Sequence, residues 1–185
     1  HIHKIIRLEG YPMKKLSKIV ALLLAGALTM LLFTACSGGG GGGNYGTRDS
    51  DKEAALFTSV KSGKQVSTQV VANNPTLCET ADSHLKEDLN TDLSLFGMQL
   101  VANVHVDGEK DQYLIITATA NYIGGPLSEL TLKKIEELAG KKLPGTDVNV
   151  RGNGSWVDVG VVVRNVGIHY YMAVAFKIEN PKYNK

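Results

Sequence analysis

Two valine-rich stretches near the end of the chain constrain its fold more than anything before them. In residues 156–163, Val157, Val159, Val161 and Val163 alternate with Trp156, Asp158, Gly160 and Val162. Residues 168–178 repeat the pattern with Ile168, Tyr170, Met172, Val174, Phe176 and Ile178. Period-2 alternation puts each set on one face of a strand, and β-branched and aromatic side chains suit that pleated surface. Because the second set is also largely apolar, both faces of the sheet are expected to be covered. That predicts central strands with helices packed on at least one side. Asn165-Val166-Gly167 joins the two stretches as a turn.

A second hairpin is expected upstream. Leu100, Ala102, Val104 and Val106 alternate with Val101, Asn103, His105 and Asp107; beyond a turn at Asp107-Gly108, Leu114, Ile116, Ala118, Ala120 and Tyr122 alternate with Tyr113, Ile115, Thr117, Thr119 and Asn121. One face is strongly apolar and the other, carrying His105, more polar. Before this hairpin, Asn74-Pro75 marks a helix start, since proline suits the first helical position. Leu77, Cys78, Ala81, Leu85 and Leu89 then form an apolar stripe at helical spacing. An earlier helix is expected from a capping box at Ser50 and Glu53, with Leu56, Phe57 and Val60 on its inner face. Residues 64–72 lean to a further helical turn. Gly124-Gly125-Pro126 opens a third helix through about Ala139, and Val148 and Val150 suggest a short strand. The expected class is α+β, a single domain with a mainly antiparallel sheet of four to five strands and about three packed helices, over residues 49–185.

The beginning of the chain has a different character. Lys14, Lys15 and Lys18 precede an uncharged apolar run, residues 19–33, that is shorter than the roughly 20 residues a membrane span needs. A basic start, a short apolar run and small residues before a cut define an export signal. Residues 36–48 include six consecutive glycines, which behave as a flexible coil; no strand precedes them and no GK[ST] follows, so they do not form a phosphate cradle. Residues 1–12, ahead of the first methionine, read as an upstream mis-start. Without residues 1–35 the chain carries 15 basic and 17 acidic side chains, so the positive balance resides in the leader and does not indicate nucleic-acid binding.

Leu32-Phe33-Thr34-Ala35-Cys36 resembles the lipobox of bacterial lipoproteins, with Phe33 where the family usually has leucine. The resemblance implies cleavage between Ala35 and Cys36, a diacylglyceryl group on the Cys36 sulfur, and a protein facing outward from a bacterial cell membrane or outer membrane. Two or more acyl chains hold a protein stably on a bilayer without spanning it. Cys78 is then the one remaining cysteine. Its place on the apolar stripe marks it as a buried thiol, and no intramolecular disulfide is expected.

The search for chemistry is mostly negative. There is no HExxH, CxxC, GxSxG or Walker sequence. Three histidines follow the leader, His84, His105 and His169; with Asp82, Glu87 and Asp158 they are the residues on which a site would depend. His84 and Glu87 have the spacing of a helical ligand pair, but without a third ligand no metal and no cofactor is assigned. Residues 155–163 and 169–176 resemble the closing hairpin of the cysteine-rich secretory (CAP) superfamily, which implies an α-β-α sandwich around a cleft of paired histidines and acidic residues. No functional residue transfers by position. The element order over residues 74–150 is similar to small envelope modules of the BON or ring-building type, which bind lipid, peptidoglycan or each other. The function expected is a non-enzymatic binding or assembly domain anchored in the envelope, with a protein, glycan or lipid partner; the alternative is a CAP-like histidine–carboxylate cleft. Tyr113, Thr117, Thr119 and Asn121 form the expected contact face, provided the central hairpin leaves them uncovered.

Overall fold

A computed structural model of the chain describes residues 45–90, 94–95, 98–122, 133, 137 and 148–183. The leader, with the lipobox residues Ala35 and Cys36, lies outside them. Strand β1 (Thr47–Arg48) is followed by helices α1 (Ser50–Lys61) and α2 (Pro75–Leu89). Strands β2 (Ser94–Leu95) and β3 (Met98–Gln99) then make a separate small ribbon. The main sheet adds β4 (Ala102–Asp107), β5 (Tyr113–Asn121), β6 (Asp158–Val166) and β7 (His169–Glu179), in the spatial order β1-β6-β7-β5-β4. All its neighbours are antiparallel. The chain is therefore α+β, with one five-stranded antiparallel sheet and, among the described residues, two helices. Most of the expected third helix falls outside the described residues; Lys133 and Glu137 are helical.

The sheet has two buried faces. On one, Val159, Val161, Val163, Met172, Val174, Phe176, Ile116 and Val104 pack with Leu56, Phe57 and Val60 of α1. Trp156 closes this cluster, its ring stacked on Phe176 at 3.8 Å. On the other, the α2 stripe meets a surface of small side chains. Leu77, Cys78, Ala81, Leu85 and Leu89 lie over Val162, Ala173, Ala175 and Tyr171. Gly160 lets the helix come closest, since a Cβ there would stand 2.5 Å from both the Leu77 carbonyl carbon and its Cβ. Large residues on the α1 side and small ones on the α2 side follow from the strand alternation at β6 and β7.

The outer edge of β6 is satisfied by groups other than a full strand. β1 pairs only with Arg164 and Asn165. Further along, the Asp49 amide donates to the Val163 carbonyl at 2.9 Å, and the Val163 amide donates to Glu53 at 3.2 Å. The Asn73 side chain accepts from the Val161 amide at 2.7 Å and donates to its carbonyl at 3.1 Å, acting as a one-residue strand. Covering an edge in this way removes a template for pairing with another chain.

Several local expectations are corrected. Asp49 rather than Ser50 caps α1, accepting from the Lys52 amide at 3.0 Å. Glu53 turns inward instead of back to the cap, because Arg48 and the Val163 amide are within its reach. Residues 64–72 form no helical turn. Val66 makes a parallel bridge to Trp156, and the Trp156 amide donates to the Gln65 carbonyl at 2.8 Å. Trp156 consequently joins the face expected for Val157, which is 36% exposed. Val148 and Val150 pack on the core without forming a strand. The folded unit also begins ahead of residue 49: Thr47 and Arg48 are in the sheet, and Arg164 donates to the carbonyls of Tyr45 and Gly46 at 3.3 and 3.0 Å.

Candidate functional site

Helix α2 and strand β4 bring two of the three histidines together. Along a helix four residues rise about 6 Å, and along a strand two residues rise about 6.6 Å. His84 and Asp88 on α2 therefore match His105 and Asp107 on β4 in spacing, and the two elements meet with crossed partners. His84 Nε2 lies 2.8 Å from Asp107 Oδ2, and His105 Nε2 lies 2.9 Å from Asp88 Oδ2. The two imidazoles lie between these carboxylates, their rings stacked 4.1 Å apart at 14°. Glu87, one turn after His84 begins the motif, has Oε2 3.5 Å from His84 Nδ1.

Asp88 is the fixed point of the group. It is 3% exposed, and besides His105 it accepts from Asn103 Nδ2 at 2.8 Å and from Thr119 Oγ1 at 2.5 Å. A buried carboxylate requires such donors, because unpaired it would lose its hydration without replacement. Gln99 reinforces the same end of α2 by donating to the Leu89 carbonyl at 2.6 Å. The order hydroxyl, carboxylate, imidazole is informative. In a nucleophilic triad the imidazole stands between the hydroxyl and the carboxylate so that it can take the proton. Here Asp88 stands between Thr119 and His105, and the arrangement orients an imidazole rather than activating an alcohol.

The other expected residues are dispersed. His169 starts β7 opposite Val166, at the β6–β7 turn. Asp158 accepts from Asn74 Nδ2 at 2.5 Å and so steadies the residue that caps α2. Asp82 forms a two-point pair with Arg164, at 2.5 and 2.9 Å, and a further pair with Lys86 at 2.7 Å. Burial raises the Asp82 pKa, but Arg164 and Lys86 outweigh it and hold the carboxyl below its ordinary value. Glu53 goes the other way. Its burial prevails over the Arg48 pair and lifts its pKa. Cys78 is buried and in no disulfide, and its Sγ donates to the Val161 carbonyl at 3.5 Å.

The expected contact face is closed at its centre, while Tyr113 and Asn121 at its two ends are half-buried. Thr117 and Thr119 are 0% and 1% exposed beneath α2. Asn121 accepts from the Val101 amide and donates to the Gln99 carbonyl, both at 2.9 Å, and the Lys177 ammonium lies 5.1 Å from the centre of the half-buried Tyr113 ring. A groove of about 390 Å³ bounded by Val148, Asn149, Val157, Ile178 and Asn180 opens elsewhere and includes neither His84 nor His105.

The signal for the histidine pair was present as two local spacings, i, i+4 on a helix and i, i+2 on a strand. Nothing in either spacing says that they face one another. Comparison of the chain with protein-family models, curated proteins and solved structures gives no match.

Proposed function

We propose that the chain is a lipid-anchored protein of the bacterial envelope, in which Cys36 carries the anchor and the α+β domain is a non-enzymatic binding or assembly module. The observation that carries this is the succession in residues 13–43: three lysines, an uncharged apolar run, Leu32-Phe33-Thr34-Ala35-Cys36, and then six glycines. Ten residues separate Cys36 from Thr47. A glycine-rich coil of that length has an end-to-end distance of about 18 Å, so the domain works close to the headgroups. Arg164, by binding the Tyr45 and Gly46 carbonyls and Asp82 together, ties the end of that coil to α2. Among the described residues no helix is long and apolar enough to cross a membrane.

Feeding cells an alkyne analogue of palmitate and tagging the purified protein tests the reading. Wild-type protein takes up the label and sediments with membranes, whereas Cys36→Ala does neither. Label retained by Cys36→Ala overturns it.

The CAP-like cleft is a second reading, favoured by the meeting of His84 and His105 with Asp88 and Asp107. The binding module is preferred because the Thr119–Asp88–His105 order activates no nucleophile. In addition, the CAP resemblance rests on residues 155–176, while the hydrogen-bond partners of both histidines come from α2 and β4.

A further inference from the structure

We propose that His84, Glu87 and His105 bind a transition-metal dication of the zinc class, with Asp107 and Asp88 orienting the two imidazoles. The inference goes beyond the envelope reading and does not depend on the lipid at Cys36.

Each histidine has its Nε2 beside a carboxylate, at 2.8 Å for His84 and 2.9 Å for His105. A carboxylate at one ring nitrogen holds the proton of a neutral imidazole there and leaves the other nitrogen as a lone pair, the form in which histidine ligates metals. In that tautomer His84 Nδ1 presents a lone pair to Glu87 Oε2, 3.5 Å away. Two acceptors facing one another repel unless a proton or a metal ion lies between them, and a metal ion takes that place once His105 adds its donor. His105 supplies the third donor, and one donor atom from each of the three residues lies within 4.8 Å of the other two.

Tetrahedral ligands at about 2.1 Å from a zinc ion stand about 3.4 Å apart. The His84 Nδ1 to Glu87 Oε2 distance of 3.5 Å already matches that spacing, so the adjustment needed is a closer approach of the His105 donor, which the 70% exposed Glu87 side chain can follow. The histidine side chains are 17% and 21% exposed, so an ion can reach them from solvent and be partly dehydrated on arrival. With neutral imidazoles the surrounding Glu87, Asp88 and Asp107 give the site a local excess of negative charge. Imidazole nitrogen with one carboxylate selects a zinc-like ion over magnesium or calcium, which prefer all-oxygen sites. Three protein ligands leave a fourth position for water or for a donor on a partner.

The test is titration of Zn2+ by calorimetry, and of Co2+ by its visible absorption, into the full chain purified in detergent without a histidine tag. One ion binds per chain with a tetrahedral Co2+ spectrum. Glu87→Gln, which alters only a surface carboxylate, weakens binding at least about tenfold, and Asp107→Asn weakens it about 10–100-fold through the orientation of His84. His84→Ala removes the Co2+ spectrum, and Mg2+ does not compete. Equal Zn2+ affinity in wild type, Glu87→Gln and Asp107→Asn overturns the proposal, because an ion held elsewhere on the chain is indifferent to them. So does absence of Zn2+ binding by the folded wild-type protein.

Discussion

Replacing Gly160 by alanine adds one methyl group where α2 is seated most closely on the sheet. Its Cβ would lie 2.5 Å from the Leu77 carbonyl carbon and Cβ and 2.6 Å from the Cys78 amide nitrogen. Two of these atoms are backbone, so the strain is not relieved by a rotamer change. Ordinary contact begins near 3.4 Å, and the amino-terminal end of α2 must rise by about 1 Å, which forfeits at least a quarter of the dispersion well of each contact. For a side chain the size of Leu77, with about 40–60 contacts of 0.1–0.2 kcal/mol, that is about 1–3 kcal/mol. Alanine recovers about 0.5–1 kcal/mol relative to glycine in a strand, leaving a net destabilisation of about 1 kcal/mol, at the lower end of the usual range for overpacking. Trp156 is the sole tryptophan, is fully buried, and lies in the α1-side cluster, away from the substitution. Its fluorescence in a urea titration reports unfolding without being perturbed directly. With a slope of about 2 kcal/mol/M, the midpoint falls by about 0.5 M urea. An unchanged or higher midpoint refutes the close seating of α2 on β6.

Three further outcomes follow from the same structure. Thr117→Val raises stability by about 1 kcal/mol, because the Thr117 hydroxyl is buried without a hydrogen-bond partner among the described residues and an isosteric methyl removes its desolvation penalty; a lower urea midpoint contradicts this. The Asp82 pKa is lower in the folded chain than in the unfolded one, so its contribution to stability is complete above the ordinary carboxylate value of 3.8 and is lost as pH falls through the folded value. Asp82→Asn therefore flattens the decline in thermal midpoint below about pH 4, and parallel profiles for both proteins would count against the Arg164 pair as its cause. The Glu53 pKa is raised, which gives the opposite sign: its unfavourable contribution is present at high pH and diminishes as pH falls through its folded value, so Glu53→Gln loses relatively less stability at neutral than at acidic pH. A loss that grows from acid to neutral pH contradicts that assignment.

How far the sequence could be followed depended on whether a feature is local. The α2 stripe was legible because five apolar residues at helical spacing follow an Asn-Pro start, and all five are buried. The β4–β5 pairing was legible from alternation about Asp107-Gly108; Gly108 adopts the left-handed φ of 78° that such a turn needs. Alternation assigns residues to a common face but does not say which face is covered. Thr117, Thr119 and Asn121 looked like a solvated surface because they are polar, yet α2 lies over the two threonines and Asp88 receives the Thr119 hydroxyl. The α1 cap was misplaced by one residue because Asp49 and Ser50 are both good caps, and the choice is made by distant groups: Val163 and Arg48 draw Glu53 inward. Trp156 and Val157 exchanged faces for a similar reason, since the pairing of Val66 with Trp156 is a contact across 90 residues of sequence. The histidine pair required the docking of α2 on β4 and could not be obtained from either element alone.

The most direct measurement of the envelope assignment is mass spectrometry of the amino-terminal peptide of the protein extracted from cell membranes. The account predicts a peptide that begins at Cys36 and carries a diacylglyceryl group on its sulfur. An intact peptide spanning Ala35 and Cys36, with an unmodified thiol, contradicts it.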